Sequence, residues 1–351
     1  MRREKIGRLL AKVRRPGKLP ASQYLPEGDF PVIDQGASVI AGYHNDPELV
    51  FRGPLPITIF GDHTRAVKLS REPFICGADG TQLLYPNDES VDPVYFYYAI
   101  QNVDLSNYFY ARHLKFLRDH EISIPSLDVQ RRIVDFIEPI DDLIENNRRR
   151  IALLEQFARL LYREWFVHLR FPGHEHVKVV DGVPEGWERK PLKEIATLNY
   201  GKALKEELRQ PGPYPVYGSS GIVGSHVAGL TSGPGIIVGR KGNVGSVYWS
   251  PVAFFAIDTV YYISVEQSSL YLYHALQDAQ FISTDVAVPG LNRDFAYSRQ
   301  LLVPADQVLS EFLETVTPFH QQIEKLTMLS EKLREARDLL LSRLMSGELA
   351  V

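Results

Sequence analysis

The chain has 351 residues, 39 Lys+Arg against 43 Asp+Glu for a formal net charge of −4, and 44% hydrophobic residues. That length suits two or more domains. The apolar share excludes global disorder, and the single cysteine, Cys76, excludes a disulfide framework and a thiolate-rich zinc site.

The reducing cytoplasm is the expected location. No apolar run reaches about 18 residues, so no membrane span is expected, and Met1–Lys5 does not open an apolar signal sequence. A net charge of −4 argues at first against a nucleic-acid binder, but the charge is uneven. Residues 1–20 hold eight basic residues and one acid (+7), residues 21–127 seven and fourteen (−7), and residues 190–303 nine and eight (+1). A phosphate-binding surface must therefore be a local patch.

The chain repeats itself at an offset near 180 residues. Phe30-Pro31-Val32 recurs as Tyr214-Pro215-Val216, Ile57–Gly61 as Ile236–Gly239, and Phe74 as Phe254. Tyr97-Tyr98-Ala99-Ile100 recurs as Tyr273-His274-Ala275-Leu276, Ile124-Pro125 as Val303-Pro304, and Pro139 as Pro318. The match runs from about residue 3 to 165 and again from about 189 to 344. A unit this long is a duplicated domain rather than a solenoid repeat, and two copies imply internal pseudo-two-fold symmetry.

Taken in chain order, each copy opens with short apolar runs bounded by Gly, Pro, Asn and Asp, which read as strands. In the first copy these are Leu55–Phe60, Arg65–Leu69 and Phe74–Cys76, with Cys76 as a core thiol. An aromatic helix follows over Val94–Gln101, with Asp92 as N-cap and Pro93 at its first position. A polar loop leads to a strand ending at Pro125, then a short helix over Leu127–Glu138. Pro139 suits the first turn of a new helix, about 28 residues or roughly 42 Å long. Its stripe comprises Ile140, Leu143, Ile144, Ile151, Leu154, Phe157, Ala158, Leu161 and Trp165.

Phe171–Glu188 is a linker rich in Gly, Pro and His; its His174-Glu175-His176 lacks a third ligand nearby and reads as loop. The second copy has strands at Gly235–Val238, Ser246–Trp249, Phe254–Ile257 and Val260–Val265, a helix at Leu270–Gln277 and a last strand ending at Pro304. Its long helix carries Phe319, Ile323, Leu326, Leu329, Leu333, Leu340 and Leu344. A narrow stripe of this length needs a partner, and the two helices of one chain are the obvious pair. The predicted architecture is α+β: two β-rich domains separated by two long antiparallel helices in a coiled coil. The interface positions are Ile140, Ile144, Ile151, Leu154, Leu161, Phe319, Ile323, Leu326, Leu333 and Leu340.

Catalytic motifs are not found. Gly239–Gly245 lacks P-loop register and joins two strands, so it reads as a glycine-rich hairpin with Arg240 and Lys241 at its tip. Asp92-Pro93-Val94-Tyr95 resembles a methyltransferase signature, but it reads better as a helix cap. Basic and polar residues cluster at loops of both copies. The candidate DNA contacts are Lys202, Lys205, Ser219, Ser220, Arg240, Lys241, Asn292 and Arg293 in the second, and His63, Thr64, Arg65, Arg112 and Lys115 in the first. Tyr43, Tyr108, Phe109, Tyr110, Tyr200 and Tyr248 interleave with them. Such loops on a strand scaffold suit phosphate and base-edge contacts.

These features together resemble the specificity subunit of type I restriction–modification systems. The resemblance covers nearly the whole chain. It is carried by Val183-Pro184-Glu185-Gly186-Trp187-Glu188 with Leu192-Lys193-Glu194-Ile195-Ala196, and by Tyr214-Pro215-Val216-Tyr217-Gly218, Gly239-Arg240-Lys241-Gly242 and Val288-Pro289-Gly290-Leu291-Asn292-Arg293. The helical region Gln130-Arg131…Ile144-Glu145-Asn146-Asn147 and the end Leu340–Leu349 add to it. The first copy departs from the pattern: Met1–Lys5 lacks the Val-Pro-Glu-Gly-Trp opening, and Gly61-Asp62-His63-Thr64-Arg65 replaces Gly-Arg-Lys-Gly.

The resemblance implies two target-recognition domains, residues 1–127 and 187–303. It also implies a central helical spacer (128–170), a linker (171–186) and a C-terminal spacer (304–351). It implies a non-catalytic subunit that reads a split, asymmetric target in double-stranded DNA and docks two methyltransferase subunits. Those partners would bind S-adenosylmethionine, which this chain would not hold, and methylate adenine; a translocating restriction subunit can join. A different reading of the same stripe is a duplicated scaffold that binds protein and has no DNA specificity.

Overall fold

The computed structural model describes residues 2–107, 112–279, 281 and 290–351. The chain divides into two compact units, Met1–Asn146 with Leu329–Val351, and Asn147–Met328.

The first unit opens with β1 (Arg2–Lys5), then β2 (Phe30–Ile33), β3 (Gly42–His44), β4 (Val50–Phe51), β5 (Ile57–Gly61), β6 (Val67–Ser70), β7 (Phe74–Cys76) and β8 (Thr81–Leu84). Helix α1 (Pro93–Gln101), helix α2 (His113–Asp119) and β9 (Glu121–Ile124) follow, before the long helix α3 (Leu127–Tyr162). β1 pairs with β9, and two sheets have the orders β3-β2-β7-β4 and β6-β5-β8. β5 is buried at every position, which suits its unbroken apolar run in the centre of its sheet. Cys76 is buried on β7.

The second unit contains β10 (Val179–Val180), β11 (Val183–Pro184), β12 (Glu188–Pro191), α4 (Leu192–Ile195), β13 (Asn199–Tyr200), β14 (Tyr214–Gly218) and β15 (Gly221–His226). β16 (Gly235–Gly239), β17 (Val247–Ser250), β18 (Phe255–Ala256), β19 (Val260–Ile263), α5 (Leu270–Asp278), α6 (Arg293–Tyr297), β20 (Gln300–Val303) and α7 (Asp306–Ser346) complete it, α7 ending in the first unit. Its sheets repeat those of the first. β12 pairs with β20 (Glu188 opposite Val303) as β1 does with β9 (Arg2 opposite Ile124). β14 lies parallel to β18 (Val216 opposite Phe255) as β2 does to β7 (Val32 opposite Ile75). The hairpins β5–β6 and β16–β17 end in the same register, Ile57 opposite Ser70 and Gly235 opposite Ser250.

Asp92 caps α1 by accepting from the backbone N–H of Val94 (2.9 Å) and Tyr95 (3.0 Å), with Pro93 in the first turn. Buried Gln130 ties this cap to α3. Its amide accepts from the Asp92 N–H (2.8 Å) and donates to the carbonyls of Ser90 (2.8 Å) and Pro125 (2.9 Å).

The helices correct one expectation. Pro139 does not begin a new helix: α3 runs through it for 36 residues, and α7 runs through the matching Pro318 for 41. At 1.5 Å per residue they are about 54 and 61 Å long rather than 42. An internal proline forfeits a hydrogen bond and crowds the carbonyl four residues back, at a cost of about 3 kcal/mol. Packing on both sides offsets this: Ile133, Ile137 and Ile144 flank Pro139, and Phe312, Val316 and Leu326 flank Pro318, all buried. In the second unit Phe157 meets Phe319 (5.1 Å between ring centres), while Tyr162 and Phe166, further along α3, meet Phe312, earlier in α7. The helices therefore run antiparallel there.

Candidate nucleic-acid interface

In the first copy the β5–β6 turn, residues 61–66, is built on a neighbouring loop. Lys68 on β6 is buried and donates to the carbonyls of Asp34 (2.8 Å) and Ser38, fixing the loop after β2. Burial pulls its ammonium below the usual lysine range. Gln35 in that loop holds the turn: the Thr64 hydroxyl donates to its carbonyl, and its side-chain oxygen accepts from the His63 N–H at 3.2 Å. Arg65 adopts a left-handed φ of 64° and donates to the Leu105 carbonyl at 3.0 Å. Buried Asp62 then seats α2. Its carbonyl accepts from the His113 N–H (2.9 Å) and its carboxylate from the Leu114 N–H (2.8 Å).

The second copy uses the same frame with other side chains. Lys68 and Tyr248 occupy matched hairpin positions, opposite Ile59 and Ile237. The Tyr248 hydroxyl donates to the Ser219 carbonyl at 3.2 Å, as Lys68 does to that of Asp34. Ser246 donates to the same Ser219 carbonyl at 2.7 Å, as Thr64 does to that of Gln35. The Leu291 N–H donates to the Arg240 carbonyl at 2.8 Å, as His113 does to Asp62. Asn292 caps α6 by accepting from Asp294 (2.8 Å) and Phe295 (3.2 Å).

This frame gathers cations around one ring. Tyr200, half exposed at the end of β13, has the Arg293 guanidinium 5.0 Å and the Arg240 guanidinium 5.4 Å from its ring centre. Arg240 also donates to the Asp258 carbonyl at 2.7 Å and lies 5.8 Å from the ring centre of Tyr261. Burial pushes the Tyr261 hydroxyl up to about 12; it donates to the Leu291 carbonyl. Gly201 lets the chain pass close to β18, since a Cβ there would lie 1.9 Å from the Ile257 carbonyl oxygen.

The expected site residues are thus partly assembled. Arg240 and Arg293 come together around Tyr200, Lys241 and Asn292 adjoin them in the chain, Lys241 bridges to Gly290, and Ser219 meets Asn243 and Ser246 of the β16–β17 turn with Ser220 exposed beside it. His63, Thr64 and Arg65 come together with α2, which carries Arg112 at its N-cap and Lys115, both exposed. Lys202 is exposed, its N–H on the Ala256 carbonyl at 2.9 Å; Lys205 is exposed before the turn Glu206–Leu208, which Arg209 ties to Val223. Arg240 is not a free hairpin tip, because its guanidinium is engaged by Asp258 and two rings; Lys241 is the exposed cation. Tyr108, Phe109, Tyr110, Val288 and Pro289 lie outside the described residues.

Of the helix positions, Ile144 and Leu326 are buried, and Ile140, Ile151, Leu154, Leu161, Phe319, Ile323, Leu333 and Leu340 are half-buried. Leu143, Phe157 and Leu329 are exposed, so the buried stripe is narrower than the apolar pattern. Sequence reading missed Gln35 and Lys68; neither type marks a loop anchor, and only the fold brings them to the turn.

His174 and His176 lie on a short turn (His174–His176), with His174 against the Phe171 carbonyl. Among the described residues no group of three or more His, Cys, Asp or Glu could hold a metal ion, and no helix is long and apolar enough to cross a membrane.

Comparison with known proteins gives a consistent result. The family model described as type I restriction modification DNA specificity domain matches residues 9–156 and 184–331. The type I restriction enzyme MjaIX specificity subunit of Methanocaldococcus jannaschii is 23% identical over 316 residues, covering 78% of this chain and 72% of the relative. The HindI specificity subunit of Haemophilus influenzae is 44% identical over 46 residues, 13% of this chain and 10% of that one. The crystal structure of a type I restriction–modification S subunit from M. genitalium is similar in fold, with TM-score 0.57 and 18% identity over 98% of this chain and 96% of that chain. With two matched segments that together span most of its length, the chain belongs to the DNA specificity family of type I restriction–modification systems.

Proposed function

We propose that this chain reads a bipartite, asymmetric target in double-stranded DNA, one half through each β-rich domain, within the cytoplasm. It docks two methyltransferase subunits that bind S-adenosylmethionine and methylate adenine, and a translocating restriction subunit can join them. The chain itself contributes recognition and no catalytic group.

The observation that carries this reading is the matched loop frame with unmatched tips. One backbone hydrogen bond recurs between equivalent positions, His113 to Asp62 and Leu291 to Arg240, and in each copy hairpin side chains hold the loop after β2 or β14, yet the side chains presented differ: His63, Thr64, Arg65, Arg112 and Lys115 in one copy, Arg240, Lys241, Asn292 and Arg293 in the other. One scaffold carrying two contact sets suits two different half-sites, since phosphate contacts fix register and base-edge contacts specify sequence. Docking of two partners is supported by Leu160 and Leu339, which stand at equivalent helix positions 179 residues apart and are 51% and 62% exposed. Exposed leucines on a helix that also buries a stripe suit a second protein.

Co-expression with a methyltransferase subunit in a host with an unmethylated genome, followed by methylome sequencing, tests the proposal. A split motif with adenine modified in both halves is the expected result. Retention of the methyltransferase without any sequence-dependent methylation would favour the protein-binding scaffold instead.

A further inference from the structure

Each copy raises an apolar residue beside its contact turn. The hairpins β2–β3 and β14–β15 share a register: Phe30 faces His44 and Val32 faces Gly42 in one, Tyr214 faces His226 and Val216 faces Gly224 in the other. Two residues before each of these glycines stand Ile40 and Ile222, at an offset of 182. Ile40 is 42% exposed and Ile222 63%, each next to a second exposed β-branched residue, Val39 or Val223. Singly scattered apolar residues are ordinary on a protein surface. Here the same residue recurs at one position of a duplicated frame whose neighbouring tips differ.

Both hairpins are fixed against the turns that carry the candidate DNA contacts. In the first unit Lys68 donates to the Ser38 carbonyl, two residues before Ile40, and Gln35 binds the His63–Thr64 turn. In the second, Ser246 and Tyr248 donate to the Ser219 carbonyl, three residues before Ile222, and Arg209 donates to the Val223 carbonyl at 2.7 Å. Gly242, next to Lys241, passes so close to Ser219 that a Cβ there would lie 3.2 Å from its hydroxyl oxygen. Neither residues 35–42 nor residues 218–225 contain a charged side chain. A duplex that meets the cations of these turns therefore finds an uncharged, apolar ridge beside them.

A hydrocarbon side chain on such a face has one base-edge feature to meet in the major groove, the C5-methyl group of thymine. Phosphates and the donor and acceptor atoms of the other base edges give it no partner, and would lose hydration against it. We propose that Ile40 and Ile222 each pack on a thymine methyl group in the half-site read by their own unit. They thereby add sequence specificity that no hydrogen bond supplies. The inference deepens the DNA-reading proposal and rests on it.

The test uses the complex of the full chain with its methyltransferase subunit, and duplexes carrying the target that methylome sequencing returns. Each thymine of a half-site is replaced in turn by deoxyuridine, which removes the methyl group and leaves every hydrogen-bonding edge in place. A thymine stands at least opposite the modified adenine of each half. One replacement in each half is expected to weaken binding about fourfold, the contribution of one buried methyl group. Ile222→Ala should weaken binding to the unaltered duplex and erase the deoxyuridine effect in one half only, and Ile40→Ala in the other half only. Both side chains are exposed, so the fold and the retention of the methyltransferase should not change. Binding indifferent to deoxyuridine throughout a half, or a deoxyuridine effect that survives the alanine change, would overturn the proposal. So would loss of the methyltransferase from either variant, since the occupant would then be protein. In all these outcomes the unaltered complex still methylates by sequence; if it does not, the DNA-reading proposal fails and this inference with it.

Discussion

The Arg293 guanidinium lies 5.0 Å from the centre of the Tyr200 ring, and that of Arg240 lies 5.4 Å from the same centre. The ring faces draw in the two cations and hold them near one another, which free arginines would resist. Such contacts contribute about 0.5–1 kcal/mol each at exposed sites. A positive cluster is thereby fixed in place before any phosphate arrives.

This geometry separates two residues that look equivalent in sequence. Lys241 is exposed, so Lys241→Ala should reduce the slope of log K against log salt by about 0.9, the effect of one lost phosphate contact, with unchanged stability. Arg240 is tied to Asp258, Tyr200 and Tyr261. Arg240→Ala should therefore also lower stability, by about 1–3 kcal/mol from the lost ring contacts and hydrogen bond. Salt titrations of binding and urea unfolding of both variants check this. Equal stability for the two would mean that the ring contacts do not hold Arg240.

Asp62 is the corresponding support in the first copy. Asp62→Ala should remove the carboxylate that accepts from Leu114 and loosen the start of α2, costing about 1–2 kcal/mol. Arg112 and Lys115 would lose their fixed position, so recognition of one half-site should weaken while the other is unaffected. Asp62→Asn keeps an accepting oxygen and should restore most of the loss. Methylation of targets altered in one half at a time reads this directly; equal damage to both halves would show that Asp62 supports the fold as a whole.

Much of this organisation was legible in the sequence because the signals were local. The apolar runs marked β5, β6 and β16–β19, Asp92-Pro93 marked the start of α1, and repetition marked the duplication. Pro139 misled because its cost is local whereas the packing that outweighs it, around Ile133, Ile137 and Ile144, is tertiary. Lys68 was invisible as an anchor for a similar reason. A lysine on a strand reads as solvated until the loop after β2 places two carbonyls over it. The engagement of Arg240 depends on Asp258 and Tyr200, which only the fold brings near.

Leu160 and Leu339 give a prediction about stoichiometry. Each is exposed, so Leu160→Glu or Leu339→Glu should leave the fold intact. If each marks one methyltransferase site, either change should reduce the bound methyltransferase from two copies to one, and the double variant should bind none. Mass measurement of purified complexes distinguishes these cases. Two retained copies in the double variant would place docking elsewhere on the chain.

A buried histidine pair sets an acid limit on the second unit. His274 on α5 and His320 on α7 lie with their Nε2 atoms 3.2 Å apart. The His274 Nδ1 donates to the side-chain oxygen of Gln277 at 3.2 Å, which can only accept; the Gln277 amide is fixed in turn by donating to the Tyr273 hydroxyl at 2.8 Å. The His274 Nε2 is therefore the acceptor and the His320 Nε2–H the donor, an arrangement that requires the His274 ring neutral. Burial lowers both, His274 to about 3, with His320 and Arg159 adding to the effect, and His320 to about 4. Tyr162, Trp249, Tyr273 and Phe312 surround the pair and offer no charge to stabilise a second proton. The unfolded chain takes up protons from about pH 6.5 downward while the folded chain does not, so stability is full above that pH and falls as the pH drops toward 4. The loss approaches about 1.4 kcal/mol per pH unit per histidine, or roughly 4 kcal/mol in all at pH 5. Urea unfolding of the second unit between pH 7.5 and 5 should show this slope. A His274→Leu, His320→Leu double variant should flatten it, whatever its stability at neutral pH, because no group is left in that cage to bind the proton on unfolding. A slope that survives the double change would assign the acid sensitivity to other residues.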